Sequence, residues 1–338
     1  MNHTELAELL FPHIDKTPEY YETLYPERVL PEGAKVTRLG PSPTGFIHLG
    51  NLYGAFADER LAHRSGGVFF LRIEDTDEKR EVEGAAETII SSLEYFGVTF
   101  DEGVTSEGER GIYGPYYQRA RELIYQCYAK DLTARGLAYP CFCTEDQILL
   151  LREQQENSGE NPGYYGSFAR CRDLDLIDIK RNIAEGKPYV LRFRSAGDPG
   201  RSFQIIDGIR GLLSMPENFH DVVLLKQNGI PTYHFAHVVD DHLMRTTHVV
   251  RGEEWLSSLP VHVALFDAMG FAPPTYCHTT VLMKTENGNK RKLSKRKDPE
   301  LSLNYYRSLG YHPKAVREYL LTILNSNYEE WRLANPQN

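Results

Sequence analysis

With 338 residues, 41% of them hydrophobic and 25% charged, the chain can bury a sizeable core in two or three compact lobes. It carries no run of 18 apolar residues and no signal-peptide pattern, which argues against a membrane-spanning helix and predicts a cytoplasmic protein without membrane contact. A balance of 38 basic against 47 acidic side chains, net −9, excludes a uniformly basic nucleic-acid surface, and the odd count of five cysteines argues against a disulfide framework.

Residues 1–33 carry scattered charge, with Pro18, Pro26 and Pro31 limiting helix length, and read as an extension packed on the body. From residue 34 the pattern is strand (34–39), loop, helix (about 49–65, stopped by Gly66), strand (68–73), loop and helix (about 83–96, stopped by Gly97). Strands alternating with helices predict an α/β fold with a parallel sheet, whose ligands bind beyond the carboxyl ends of the strands. The first loop, Pro41-Ser-Pro-Thr-Gly-Phe-Ile-His48-Leu-Gly50-Asn51, is stiffened by two prolines and given tight turns by Gly45 and Gly50. Such a loop aims the following helix N-terminus at a phosphate, with His48 placed to donate, although the same residues also suit a plain strand-to-helix turn. Glu74-Asp75-Thr76-Asp77 follows the second strand directly and places carboxylates at the ligand edge.

A helix over about 116–135 ends at Gly136 and opens an insertion containing Cys141-Phe-Cys143 and, 28 residues past Cys143, Cys171. Three such thiols can seed a zinc site or remain buried thiols; no histidine lies between Cys143 and Cys171, so the fourth ligand would be a tyrosine oxygen, a carboxylate or water. Cys127 and Cys277 read as structural. Short strands through residue 226 complete the insertion. A helical segment from Tyr233 to Leu243 and a strand delivering Arg251-Gly-Glu-Glu254-Trp255 then return to the sheet. His234, His237 and Asp241 could face one metal on that helix, but a metal-dependent hydrolase would leave the first loop and Arg251 without a role. A helix through Leu265 and a strand at about 279–283 precede a basic loop: seven basic residues stand between Lys284 and Lys297 against one acid, Glu286. Two helices, at about 303–308 and 313–325, complete the pattern.

Ser42-Pro-Thr-Gly with His48-Leu-Gly50-Asn51, and Lys292-Leu-Ser-Lys295-Arg296 about 240 residues later, resemble the two signatures of class I aminoacyl-tRNA synthetases in the glutamyl-tRNA synthetase form; the likeness runs from Arg38 to about Trp331. The resemblance implies a Rossmann-like catalytic domain in two halves (34–136 and 229–285) around an inserted acceptor-binding region with a zinc knuckle (137–228), then the basic loop and a helical stem-contact start (286–338). Anticodon-binding domains are not expected within this length. It implies a monomer that joins L-glutamate to the acceptor arm of tRNA(Glu), using ATP with Mg2+. By resemblance Pro41, Ser42, Thr44, Gly45, His48, Gly50, Asn51, Glu254 and Lys295 hold the nucleotide, with His48, Gly50, Lys292 and Lys295 serving catalysis. Arg38, Ser42, Glu74, Tyr233, His237 and Arg251 meet glutamate, although His237 stands where many relatives carry asparagine. The zinc ligands implied are Cys141, Cys143, Cys171 and Tyr164 or its neighbour Tyr165. Ser42-Pro-Thr-Gly also departs from the Glu-Pro-Asn-Gly form typical of glutaminyl enzymes. The runner-up readings are a short paralogue that glutamylates a modified base in tRNA, and a non-catalytic tRNA-binding relative.

Overall fold

The computed structural model describes residues 1–45, 47–294 and 297–337. Helices α1 (His3–Leu10) and α2 (Pro18–Leu24) open the chain, the first capped by the Asn2 side chain and the second begun by a proline that has no amide to leave unpaired. Leu6, Leu10 and Tyr21 of these helices, with Phe11 and Ile14 between them, are buried in the same core as the central strands. The extension is therefore part of the main body.

The sheet begins with β1 (Val36–Leu39), α3 (Leu49–Arg64), β2 (Val68–Leu71), α4 (Ala85–Tyr95), β3 (Glu102–Thr105) and the antiparallel edge strand β4 (Gly108–Arg110). Strands β1, β2 and β3 pair in parallel, and every residue of β1 is buried, as expected of a sheet covered on both faces. The expected helix from 116 starts later, as α5 (Glu122–Ala134). The backbone of Tyr116 and Gln118 instead extends along Ile73, accepting its N–H at 2.9 Å and donating to its carbonyl at 3.0 Å. Ile73 would otherwise leave buried backbone groups unpaired.

The insertion contains β5 (Ala138–Cys141), α6 (Glu145–Asn157), α7 (Leu176–Ala184), β6 (Val190–Phe193), the hairpin β7 (Ser202–Asp207) with β8 (Gly211–Pro216), and β9 (Val223–Leu225). Strands β5, β6 and β9 form an antiparallel sheet. The chain returns through α8 (Tyr233–Leu243), β10 (His248–Gly252), α9 (Leu259–Met269) and β11 (Thr275–Thr279), with β10 parallel to β11. Thr247 donates its amide to Val36 O at 3.0 Å, seating β10 beside β1. The lateral order is thus β3, β2, β1, β10, β11, and the ends of β1 and β10 are neighbours.

Strand β11 lies several residues before its expected place. The segment beyond it is also more ordered than a basic loop: β12 (Met283–Glu286) and β13 (Asn289–Lys292) form a hairpin. Asn287 and Gly288 turn it with φ of 52° and 80°, the left-handed pair that a two-residue hairpin loop needs. Helices α10 (Leu303–Ser308), α11 (Pro313–Leu324) and α12 (Asn327–Ala334) end the chain, with α11 packed on α3; α12 was not expected from the sequence.

Candidate active site

The loops after β1, β2, β10 and β11 surround a cavity of about 750 Å3 at the carboxyl edge of the sheet. Arg38, Pro41, Ser42, Thr44, Gly45, His48, Gly50, Asn51, Glu74, Tyr233, Arg251, Glu254 and Lys292 line it, so residues up to 254 positions apart in the chain share one site. Lys295 lies outside the described residues. His237 is brought close but not to the surface: it is fully buried behind Tyr233, and donor and acceptor contacts to Tyr276 Oη (3.0 Å) and Asp241 Oδ2 (3.0 Å) occupy both ring nitrogens. It thus lies in the layer behind the cavity lining and not on the surface where substrate contact was expected.

His48 forms the N-cap of α3. Its Nδ1 accepts the Asn51 amide at 3.3 Å while Asn51 Oδ1 accepts the His48 amide at 3.2 Å. This reciprocal cap fixes the imidazole with its proton on Nε2. It also consumes the Asn51 amide, one of the groups expected to face an anion.

Beneath the cavity floor lies a buried chain of charge. Arg121 contacts Asp240 at 2.6 Å, Arg72 contacts Asp241 at 2.7 Å and Glu74 at 2.9 Å, and Arg38 Nε lies 3.2 Å from both oxygens of Asp241. Burial opposes the charge on Asp241, but Arg38 and Arg72 outweigh it and hold the carboxyl well below its usual range. Burial raises the Glu74 pKa, and Arg72 and Arg38 offset this only in part. Three arginines here meet three carboxylates, so the chain is neutral within itself.

Arg251 has no such partner. Its Nε donates to His278 Nε2 at 2.9 Å, its Nη1 to His262 Nδ1 at 3.1 Å, and its guanidinium stands 4.5 Å from the centre of the Tyr276 ring. Burial, reinforced by Arg251 itself, keeps both histidines' pKa values below the ordinary range, so these contacts are neutral. Nη2 is buried and has no hydrogen-bond partner, and among the described residues no carboxylate pairs with Arg251. A buried cation with only neutral supports at the wall of a cavity is a site for an anion.

At the cavity mouth Lys292 contacts Glu254 at 3.2 Å. The rest of the basic stretch is less bare than its sequence implies: Asp298 takes Arg291 at 2.6 and 2.8 Å, while Lys284 pairs with Glu300. Acids just past the counted stretch supply the neutralising partners. The expected metal competitor also dissolves. His234 Nδ1 contacts His262 Nε2 at 3.0 Å, and Asp241 is committed to two arginines and His237.

The thiol cluster does assemble. Tyr164 Oη lies 3.3 Å from Cys141 Sγ and 3.4 Å from Cys143 Sγ, and Cys143 and Cys171 sulfurs are 3.7 Å apart. The three sulfurs are within 4.8 Å of one another, whereas Tyr165 turns its hydroxyl to Asn161 O. Hydrogen bonds from Cys143 and Cys171 favour a thiolate at Cys141. Three thiols match the soft donors that structural Zn2+ takes, and the Tyr164 oxygen stands where a fourth ligand would bring the number to four. Sequence reasoning missed Arg72, His262 and His278, and it offered Asp241 to a metal and not to the arginines, because polarity alone does not signal which side chains converge.

Residues 35–332 match the family described as tRNA synthetases class I (E and Q), catalytic domain. The chain is 64% identical over 337 residues to a glutamate-tRNA ligase of Acetivibrio thermocellus, covering 99% of this chain and 62% of the relative. It is 53% identical to that of Clostridium perfringens with the same coverage, and so spans about 62% of the length of these curated relatives. A crystal structure of a glutamate tRNA ligase from Elizabethkingia meningosepticum, in complex with its amino acid, superposes with a TM-score of 0.76 at 37% identity over 85% of this chain and 60% of the other.

Proposed function

The chain belongs to the class I tRNA synthetases of the glutamate and glutamine branch, and from that premise we propose that it activates L-glutamate with ATP and passes it to the 3′ end of tRNA(Glu). The observation that carries this reading is Arg251: buried, supported only by neutral groups, and left with an unpartnered Nη2 at the cavity wall. Its planar fork suits a carboxylate, and a neutral glutamine amide could not replace that charge. Glu74, held at the cavity by its contact with the buried Arg72, suits the α-ammonium group, while Arg38, Ser42 and Tyr233 complete the amino-acid side.

Activation joins the α-carboxylate to the α-phosphorus of ATP and expels pyrophosphate, so the protein's task is positioning and charge stabilisation. Pro41, Thr44, Gly45, His48, Gly50 and Asn51 face the nucleotide from the α3 side, with Glu254 and Lys292 opposite; Lys295 belongs to the same reading by its motif. Mg2+ arriving with ATP would neutralise phosphate charge. We assign residues 137–228 to the acceptor arm and Cys141, Cys143, Cys171 and Tyr164 to a structural zinc. By the same family reading we take the chain to act as a cytoplasmic monomer; no helix among the described residues is long and apolar enough to cross a membrane.

The test is glutamate-dependent ATP–pyrophosphate exchange with tRNA present, together with charging of tRNA(Glu). Arg251→Gln should abolish both, because losing the cation leaves a carboxylate desolvated at a cost of several kcal/mol. Exchange by this variant at an unchanged glutamate KM would place the amino-acid pocket elsewhere. Label that stays on the tRNA after its terminal adenosine is removed would instead indicate modification of an internal base.

A further inference from the structure

The hairpin β7–β8 docks on β11 through one particular side chain. Asp207, the last residue of β7, accepts the amides of Ile209 and Arg210 at 2.9 Å with Oδ1, and its Oδ2 lies 2.6 Å from His278 Nδ1. The hairpin is fastened further by the Gly208 amide to Tyr276 O at 2.7 Å and Arg210 Nε to His278 O at 3.1 Å. His278 is fully buried, and its other ring nitrogen, Nε2, faces Arg251 Nε at 2.9 Å.

The proton positions are set by the partners. An arginine Nε can only donate, so His278 Nε2 must accept; a neutral imidazole then carries its proton on Nδ1, where only an acceptor fits, and the Asp207 carboxylate is one. Burial opposes charge on Asp207, but its amide contacts and His278 hold its pKa below the usual carboxylate range, so the acceptor stays in place.

We propose that Asp207 and His278 are positioning residues for glutamate recognition: the carboxylate on the inserted hairpin selects the Nδ1–H tautomer of His278, which holds the Arg251 guanidinium in place at the cavity for the substrate carboxylate. This deepens the glutamate reading and rests on it. The turn cap uses Oδ1, whereas Oδ2 meets the His278 ring at 2.6 Å and takes the His278 amide at a longer 3.2 Å. An asparagine at 207 would keep that cap with its amide oxygen but turn an NH2 toward His278. The imidazole would have to place its proton on Nε2, setting donor against donor at Arg251 Nε.

The experiment combines 1H–15N NMR of the histidine tautomers with NMR titration of glutamate, on the full chain and on Asp207→Asn, His278→Gln and the double variant. In the unsubstituted chain His278 should carry its proton on Nδ1. Asp207→Asn should move it to Nε2 and weaken glutamate binding about 10- to 100-fold, the range for losing a buried hydrogen bond to a charged group. Glutamine at 278 offers an amide oxygen near the place of Nε2 and has no tautomer to select. Asp207→Asn should therefore cost about twofold or less in that background. An Nε2–H tautomer in the unsubstituted chain overturns the inference, as does an equal loss from Asp207→Asn in both backgrounds. If Asp207→Asn does not fold, His278→Phe against His278→Gln decides: the phenylalanine should lose glutamate and the glutamine retain it, and equal affinities overturn the inference. Because the tautomer is read without ligand, an Nδ1–H signal in a chain that binds no glutamate would refute the functional reading and leave the relay standing.

Discussion

Glu74 is held in place by a glycine as much as by an arginine. A Cβ added at Gly40 would collide with the Glu74 carboxylate where it packs against that backbone and meets Arg72. Gly40→Ala should therefore push Glu74 off Arg72 and raise the glutamate KM about tenfold or more, as expected when a charged hydrogen bond is broken, with the ATP KM little changed. Equal shifts in both constants would show a general collapse of the loop. Arg38, Glu74 and Arg251 were legible in the sequence because each ends or follows a readable strand and so falls at the ligand edge. Their supports were not. Asp241 lies 203 residues from Arg38, and His278 lies 27 from Arg251; nothing in local periodicity couples such positions. The burial of His237 was hidden for the same reason, since its helical face was clear but the layer of Tyr233 in front of it was not.

At the scale of elements, glycine stops and alternating patterns located α3, α4 and α8 closely, because local capping and burial decide them. The hairpin β12–β13 was obscured by its charge, although Asn287-Gly288 carries the turn signal in plain view. The start of α5 was displaced by a backbone pairing that only the folded sheet supplies. The thiol knuckle makes a separate prediction. Cys141, Cys171, Tyr164, Tyr139, Leu151 and Ala169 form a small cluster of their own, apart from the main core. A core of that size is marginal without a crosslink or metal. Protein purified without chelator should hold about one zinc per chain. Removing the zinc, or Cys143→Ser, should speed amide hydrogen exchange across residues 141–171 while the strands of the parallel sheet stay protected. A metal content near zero with unchanged exchange would mean that the four side chains are a packed thiol cluster.

Across the whole molecule, the same burial that builds the site sets its response to acid. Eight histidines (His3, His220, His234, His237, His242, His248, His262 and His278) have pKa values shifted below 6.5, with desolvation the first cause in each case. His237 is pushed down to about 4. In the unfolded chain each returns to about 6.5, so between those two values the unfolded state binds more protons than the folded one. Stability is then greatest above about pH 6.5 and falls as the pH drops, by about 1.4 kcal/mol per unit for each histidine that stays neutral in the fold. Asp58, Glu74 and Asp75 work in the opposite sense, because burial raises their pKa and the folded state holds their protons more tightly. Asp241, Asp207 and Glu22, whose pKa values are held below the usual carboxylate range, act in the same direction as the histidines, and we expect the sum to favour loss of stability on acidification. Urea unfolding followed by circular dichroism should give a clearly lower midpoint at pH 5.5 than at pH 7.5, and His237→Asn should narrow the gap by removing the most sharply defined of the eight shifts. A midpoint that rises on acidification would mean that the buried carboxyls, and not the desolvated histidines, dominate the proton linkage of this fold.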